Sequence, residues 1–198
     1  MKLVLASDNA HKLTEFRELF RTINVELISK AESGCTEEVE ETGTTFAENA
    51  RIKAEAVMRA TGLPAIADDS GLAVDALGGE PGVRSARYTG SHSDSDRDRY
   101  ELLLRNLGGR TDRSARFVCS LCCVFPNGDI LRAEGNCEGE ILFAPRGDNG
   151  FGYDPVFRPR GFDRSMAELT MEEKNAVSHR GKALRIFKEE WEKYYAHK

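Results

Sequence analysis

Apolar residues fall in two kinds of segment that take turns along the chain: short continuous runs and longer stripes at helical spacing. Residues 2–6 read as a buried strand. Over residues 12–23 the apolar positions Leu13, Phe16, Leu19, Phe20 and Ile23 recur with a helical period. Residues 25–28 predict a second strand, and the polar, acidic stretch 31–43 a connection. A helix then opens at Thr45-Phe46-Ala47-Glu48, a capping box in which hydroxyl and carboxylate each satisfy a free backbone N–H. Ala50, Ala54 and Val57 form its inner stripe, and Gly62 with Pro64 ends it. A strand over 65–67 follows, closed by Asp68-Asp69-Ser70-Gly71.

Beyond a glycine-rich turn at Gly78, Gly79, Pro81 and Gly82, residues 91–99 read as a solvated loop rich in Ser, Asp and Arg. It leads into a helix with Tyr100, Leu103, Leu104 and Leu107 on one side, stopped by Gly108-Gly109. Residues 116–125 and 130–134 predict a hairpin about the Asn127-Gly128 turn, and 138–143 a further strand. Thr170 to Glu173 is a second capping box, and the last helix carries Leu184, Phe187, Trp191 and Tyr194. Strand, helix, strand, helix, strand is the rhythm of an α/β layer. No repeat or long linker interrupts it, which predicts one domain over 1–198, with a smaller lobe within about 110–145.

Composition narrows the class. The chain has 198 residues, 40% of them hydrophobic and 31% charged, enough to bury a core without disulfide or metal staples. A net charge of -5 argues against a nucleic-acid binder, whose footprint is basic. No apolar run approaches the ~20 residues of a membrane span. The opening apolar run is cut short by Ser7, Asp8 and Asn9, too early for a signal peptide, so the expected location is the cytoplasm. Five cysteines without a secretory signal predict no disulfide framework. On an extended strand Cys119 and Cys122 would face opposite ways, so they cannot jointly grip a zinc, and they read as small core residues.

Four polar clusters interrupt the scaffold where strands end or helices begin, the places where open α/β sheets bind ligands. Ser7-Asp8-Asn9-Ala10-His11-Lys12 opens a helix, whose free N–H groups attract anions, but the same residues make an ordinary cap. Glu40 and Glu41 precede Asn49 and Lys53, which share one helical face; an acid-rich loop can also be merely solvated. Asp68-Asp69-Ser70-Gly71 offers the hard oxygen donors that magnesium takes, and equally makes a polar turn. Residues 147–155, with Phe151, Gly152, Tyr153 and Asp154, combine glycines that let a backbone approach a ligand with aromatic faces for a base. Lys174 follows later, and His179 and Arg180 could donate to a carbonyl on a purine edge; a glycine-bent loop around a core aromatic fits too.

Taken together the clusters closely resemble the inosine triphosphate pyrophosphatase family. The resemblance rests on Ser7-x-Asn9-x-x-Lys12, Glu41-Thr42-Gly43, Thr45-Phe46-x-Glu48-Asn49-Ala50 with Lys53, and Ala67-Asp68-Asp69-Ser70-Gly71-Leu72. It continues through Leu77-Gly78-Gly79-x-Pro81-Gly82, Ser85-Ala86-Arg87-Tyr88 and Gly150-Phe151-Gly152-Tyr153-Asp154-Pro155. Ala167-Glu168-Leu169, Glu173-Lys174 and Ser178-His179-Arg180-Gly181 complete it. It implies a mixed central sheet flanked by helices, two lobes with a nucleotide cleft between them, and a homodimer. The implied reaction is hydrolysis of dITP, ITP or XTP to the monophosphate and pyrophosphate with Mg²⁺.

By position, Ser7 to Lys12 (Asp8, Asn9, Ala10 and His11 included) with Asn49 and Lys53 would hold the triphosphate side. Asp69, with Glu41 or Glu40 and with Asp68 beside it, would place magnesium. Asp69 would also accept the water's proton. Ser70, Phe151, Gly152, Tyr153, Asp154, Lys174, His179 and Arg180 would hold the nucleoside. Asp8 departs from the family, where glycine is common, and weakens phosphate contact if it points inward. A phosphatase working through an aspartyl phosphoester usually shows two acids one residue apart, whereas Asp68 and Asp69 are adjacent. A non-catalytic nucleotide sensor would keep the pocket without turnover.

Overall fold

The structure is a computed structural model. It describes residues 1–21, 25–91 and 93–196, with the side chains of Ala10, His11 and Leu19 outside the described set. β1 (Lys2–Leu5), α1 (Ala10–Phe20), β2 (Glu26–Ser29), α2 (Phe46–Thr61) and β3 (Ala65–Val74) follow in the predicted order. After them come α3 (Asp96–Leu107), β4 (Ser114–Val124), β5 (Ile130–Ile141), β6 (Phe157–Pro159), α4 (Met171–Val177) and α5 (His179–Ala196). One sheet carries all six strands in the order β2-β1-β3-β4-β5-β6. β1 runs parallel to β2 and β3, and β5 antiparallel to β6, so the sheet is mixed as the family resemblance implies. Among the described residues no helix is long and apolar enough to cross a membrane.

Helix boundaries follow local chemistry. Thr45 and Glu48 form the predicted capping box of α2, and Gly62 ends it in a left-handed conformation at φ 67°. Thr170 and Glu173 do the same for the start of α4. Ser95 with Asp98 caps α3, a box that the loop reading of residues 91–99 passed over. The first predicted helix begins two residues earlier than its apolar stripe; Ile23, its last expected position, lies outside the described residues, as does His92.

Two strand predictions need correction. The strand expected to stop at Ala67 continues through Asp68-Asp69-Ser70-Gly71 to Val74. Turn-forming residue types suggested an end there, but Leu72, Ala73 and Val74 are buried and prolong the strand. Likewise the two strands expected over 130–134 and 138–143 are the single β5. Burial alternates unbroken through Ala133, Gly135 and Cys137, so the Gly135-Asn136 pair does not interrupt the pleat.

The chain divides into two compact units: Met1–Asp69 with Cys119–Glu134 and Ala183–Lys198, and Ser70–Val118 with Gly135–Lys182. In the first unit β1, β3 and the end of β4 are buried on both faces, as covered strands inside an α/β layer require. Leu3, Leu5, Leu121 and Cys123 pack with Phe16, Phe20, Phe187 and Trp191 from α1 and α5. Val4, Ala6, Cys122 and Val124 pack on the other side with Ala50, Ala54 and Val57 of α2. Alternate residues of β4 thus enter different cores, which places Cys119 and Cys122 on opposite faces as small buried side chains. The second unit has its own core of Leu72, Val74, Leu103, Phe117, Tyr153, Phe157 and Met166 among others.

Candidate active site

In the first unit, the extended backbone of β3 sends adjacent carboxylates to opposite sides. Asp68 is 1% exposed, and Lys12 Nζ donates to its two oxygens at 3.0 and 2.9 Å. Asp69 is 6% exposed and accepts from Lys53 Nζ at 2.9 Å and from Asn49 Nδ2 at 3.2 Å. Lys53 also donates to Glu41 at 2.7 Å, so one ammonium bridges two carboxylates. Asn49 and Lys53, one turn apart on α2, aim together at β3. Asn49 in turn is held by the backbone N–H of Gly43, which donates to its Oδ1 at 2.8 Å.

Burial pushes the Asp69 carboxyl above its ordinary pKa, and Lys53 offsets this only in part. Burial works against the Lys53 charge as well, but Asp69, Asp68 and Glu41 together outweigh it and hold the ammonium above its ordinary pKa. Three carboxylates (Asp68, Asp69, Glu41) against two ammoniums (Lys12, Lys53) leave one unit of negative charge. Among the described residues no three His, Cys, Asp or Glu side chains gather into a ready-made metal cage. Asp69 and Glu41 nevertheless converge on one cationic atom, and a pair of hard oxygen donors suits magnesium, which keeps waters and completes its shell with phosphate. The donor set fits that ion. Glu40, next to Glu41, is exposed.

The loop before α1 is built as a cap. Asn9 Oδ1 accepts from Lys12 N at 3.1 Å, and Ser7 Oγ from Asn9 N at 3.2 Å. Ala10 and His11 follow in the first helical turn. The Asp8 side chain is largely exposed and pairs with the buried Lys30 ammonium at 3.0 Å.

The second unit holds the aromatic cluster. Gly150 is left-handed at φ 79°, and a Cβ there would run into the Asp154 carboxylate, so only glycine fits. Asp154 Oδ2 accepts from Phe151 N at 3.0 Å and from the buried Lys174 Nζ at 2.9 Å. The half-buried Phe151 ring lies under two cations: Lys174 Nζ at 4.8 Å and the Arg180 guanidinium at 5.7 Å from its centroid. His179 stacks on Phe117 with centroids 4.8 Å apart. Tyr153 is buried in the core, its hydroxyl donating to Ser85 O at 2.9 Å, and burial raises its pKa. Tyr153 thus belongs to the core and Phe151 is the half-buried ring of the two, where the sequence offered both. Ser70 continues β3 directly after Asp69.

A model described as the Ham1 family matches residues 3–190. The chain belongs to the Ham1 family. It is 50% identical over 192 residues to a dITP/XTP pyrophosphatase of Synechococcus sp. (strain CC9311), covering 96% of this chain and 90% of that protein. A dITP/XTP pyrophosphatase of Bacillus subtilis (strain 168) is 48% identical over 184 residues, 92% of each chain. Among solved structures, the Staphylococcus aureus Ham1 protein superposes with a TM-score of 0.89 at 42% identity, covering 98% of this chain and all of that one. A nucleoside-triphosphatase / dITP/XTP pyrophosphatase from Mycobacterium abscessus gives 0.78 at 49% identity, covering 94% and 98%. The family resemblance read from the sequence is borne out.

In this Ham1-family chain the fold gathers the sequence-predicted residues into two groups, each within one unit: Lys12, Glu41, Asn49, Lys53, Asp68 and Asp69 in the first, Phe151 to Asp154, Lys174, His179 and Arg180 in the second. Asp8 pairs with Lys30, while Ser7 and Asn9 serve the start of α1 through side-chain oxygens that accept from Asn9 N and Lys12 N. Sequence reasoning missed Lys30, because an isolated lysine at a strand end carries no pattern. It also passed over Asp96, whose carboxylate reaches Gly152.

Proposed function

We propose that this chain hydrolyses non-standard purine nucleoside triphosphates (dITP, ITP and XTP) to the monophosphate and pyrophosphate. The observation that carries this reading is the meeting of Asp69 of β3 with Asn49 and Lys53 of α2 and Glu41 of the loop before it, in a chain about half identical to dITP/XTP pyrophosphatases. A water attacks the α-phosphorus while Asp69 accepts its proton. The P–O bond to the bridging oxygen breaks, and pyrophosphate leaves with that oxygen. Lys12 and Lys53, with the N–H groups at the start of α1, neutralise phosphate charge as it shifts toward the leaving group. Asp69 and Glu41, with Glu40 and Asp68 as further candidate donors, would hold magnesium, which would supply further charge neutralisation and a more acidic water.

The nucleoside falls to the second group and Ser70: the base stacks on Phe151, and Lys174, His179 and Arg180 are the donors we assign to a 6-oxo group. Adenine would set its own amino group against those donors, a mismatch that polar sites reject by up to ~10⁴-fold. We also propose that the enzyme is cytoplasmic, works as a homodimer, and binds neither nucleic acid nor membrane. A pyrophosphate-release assay across dITP, XTP, dGTP and dATP, with Mg²⁺ and with EDTA, tests the reading. Pyrophosphate from dITP and XTP, little from dATP and none in EDTA is expected. Orthophosphate as the product, or equal turnover of dATP, contradicts it.

A further inference from the structure

Within the second unit, the Phe151 to Tyr153 loop is fixed at three points. Phe151 N is bound by Asp154, and the Tyr153 hydroxyl by Ser85 O. The third anchor comes from a segment outside every motif of the family resemblance: Gly152 N donates to Asp96 Oδ2 at 2.6 Å. Asp96 is the first residue of α3, and its other oxygen is held by Arg99. The Arg99 side chain is largely buried and also donates to Asp94 O at 2.6 Å and Ala86 O at 3.3 Å. Ala86 adjoins Ser85, so one guanidinium steadies both the acid that binds Gly152 and the turn that binds Tyr153.

We infer that Asp96, held by Arg99, is a positioning residue for the nucleoside side of the site: it sets the loop that presents the Phe151 ring. The inference rests on the assignment of that loop to the base. Gly152 is left-handed at φ 66° and brings no side chain to pack, so its conformation depends on where its N–H is bound. A carboxylate acceptor makes that bond charge-assisted, and the Arg99 pair keeps the carboxylate from turning to solvent. A helix-start acid with no further role would resemble Asp98, whose side chain, among the described residues, accepts from the N-cap Ser95 of its own helix. Asp96 does something else: it reaches a loop 56 residues away in sequence.

The comparison of Asp96→Ala, Asp96→Asn, Asp98→Ala and Phe151→Ala, with dITP and Mg²⁺, tests this. Loss of a hydrogen bond to a charged group predicts a KM about tenfold higher in Asp96→Ala, with kcat within about twofold of wild type. Asp96→Asn, which retains an acceptor for Gly152, should recover part of that loss. Asp98→Ala should weaken α3 in a thermal melt and leave KM unchanged, whereas Phe151→Ala should raise KM. A KM unchanged in both Asp96 variants beside a raised KM in Phe151→Ala overturns the inference alone. So does a rise in Asp98→Ala equal to that in Asp96→Ala, or a fall in kcat at constant KM. An unchanged KM in Phe151→Ala overturns the assignment of the loop to the base, and the inference with it.

Discussion

Asp69 is costly to keep ionised, and its neighbours are arranged to offset that cost. Its carboxyl is buried, which raises its pKa above the usual ~3.9 of an aspartate. A folded pKa above the unfolded one means that the native state binds this proton more tightly. The associated stability is present below the unfolded pKa and is lost as pH rises through the folded one. At neutral pH burial of that charge opposes folding, while its pairing with the buried Lys53 ammonium offsets the cost; Asp69→Asn leaves Glu41 on Lys53 and should abolish hydrolysis while the protein stays folded. Near-wild-type turnover, or a collapse of the melt, contradicts that role. In a carboxyl-detected NMR titration of the metal-free protein, Asp69 should titrate above the ordinary range, and added Mg²⁺ should pull it down. At this scale the sequence named candidate residues and was silent on their pairing. Asp8 was read as a threat to phosphate contact, but its side chain turns to Lys30, a partner that no local pattern marks.

The elements that position these residues depend on small local devices. Gly43 ends the acidic loop against the first turn of α2, and a Cβ there would stand 2.6 Å from Asn49 Oδ1 and 2.7 Å from Glu48 Cβ. Gly43→Ala should displace Asn49 and, through it, Asp69. Because misplacement of about an ångström costs up to ~100-fold, kcat/KM should fall at least about tenfold while the far-UV circular dichroism stays native. Unchanged kcat/KM would contradict the coupling of this loop to Asp69. Helices were legible because capping boxes and apolar stripes are local signals, as at Thr45 and Thr170. Strand ends were not. Asp68-Asp69-Ser70-Gly71 has turn-forming composition, yet Lys12, Lys53 and Asn49 supply from elsewhere the partners that let β3 carry two buried acids onward.

At the scale of the molecule, the division into two units falls inside β3, β4, β5 and α5, between Asp69 and Ser70 in the first case. No linker or change of composition marks a boundary that cuts through continuous strands, so the sequence reads as one unit. The distribution of cysteines is also a whole-chain property. All five are free and buried, and burial pushes the Cys122 and Cys137 thiols up to about 11 and that of Cys123 higher still. A thiolate is the reactive form, so these three should resist a thiol reagent at pH 8 in the native protein and react on denaturation. Fast native labelling at any of them would contradict the packing of β4 and β5. In the proposed reaction water attacks the α-phosphorus of a purine triphosphate beside Asp69. Hydrolysis of dITP in ¹⁸O-water reads this out directly. The label should appear in dIMP with none in pyrophosphate; label in pyrophosphate or in orthophosphate would contradict it.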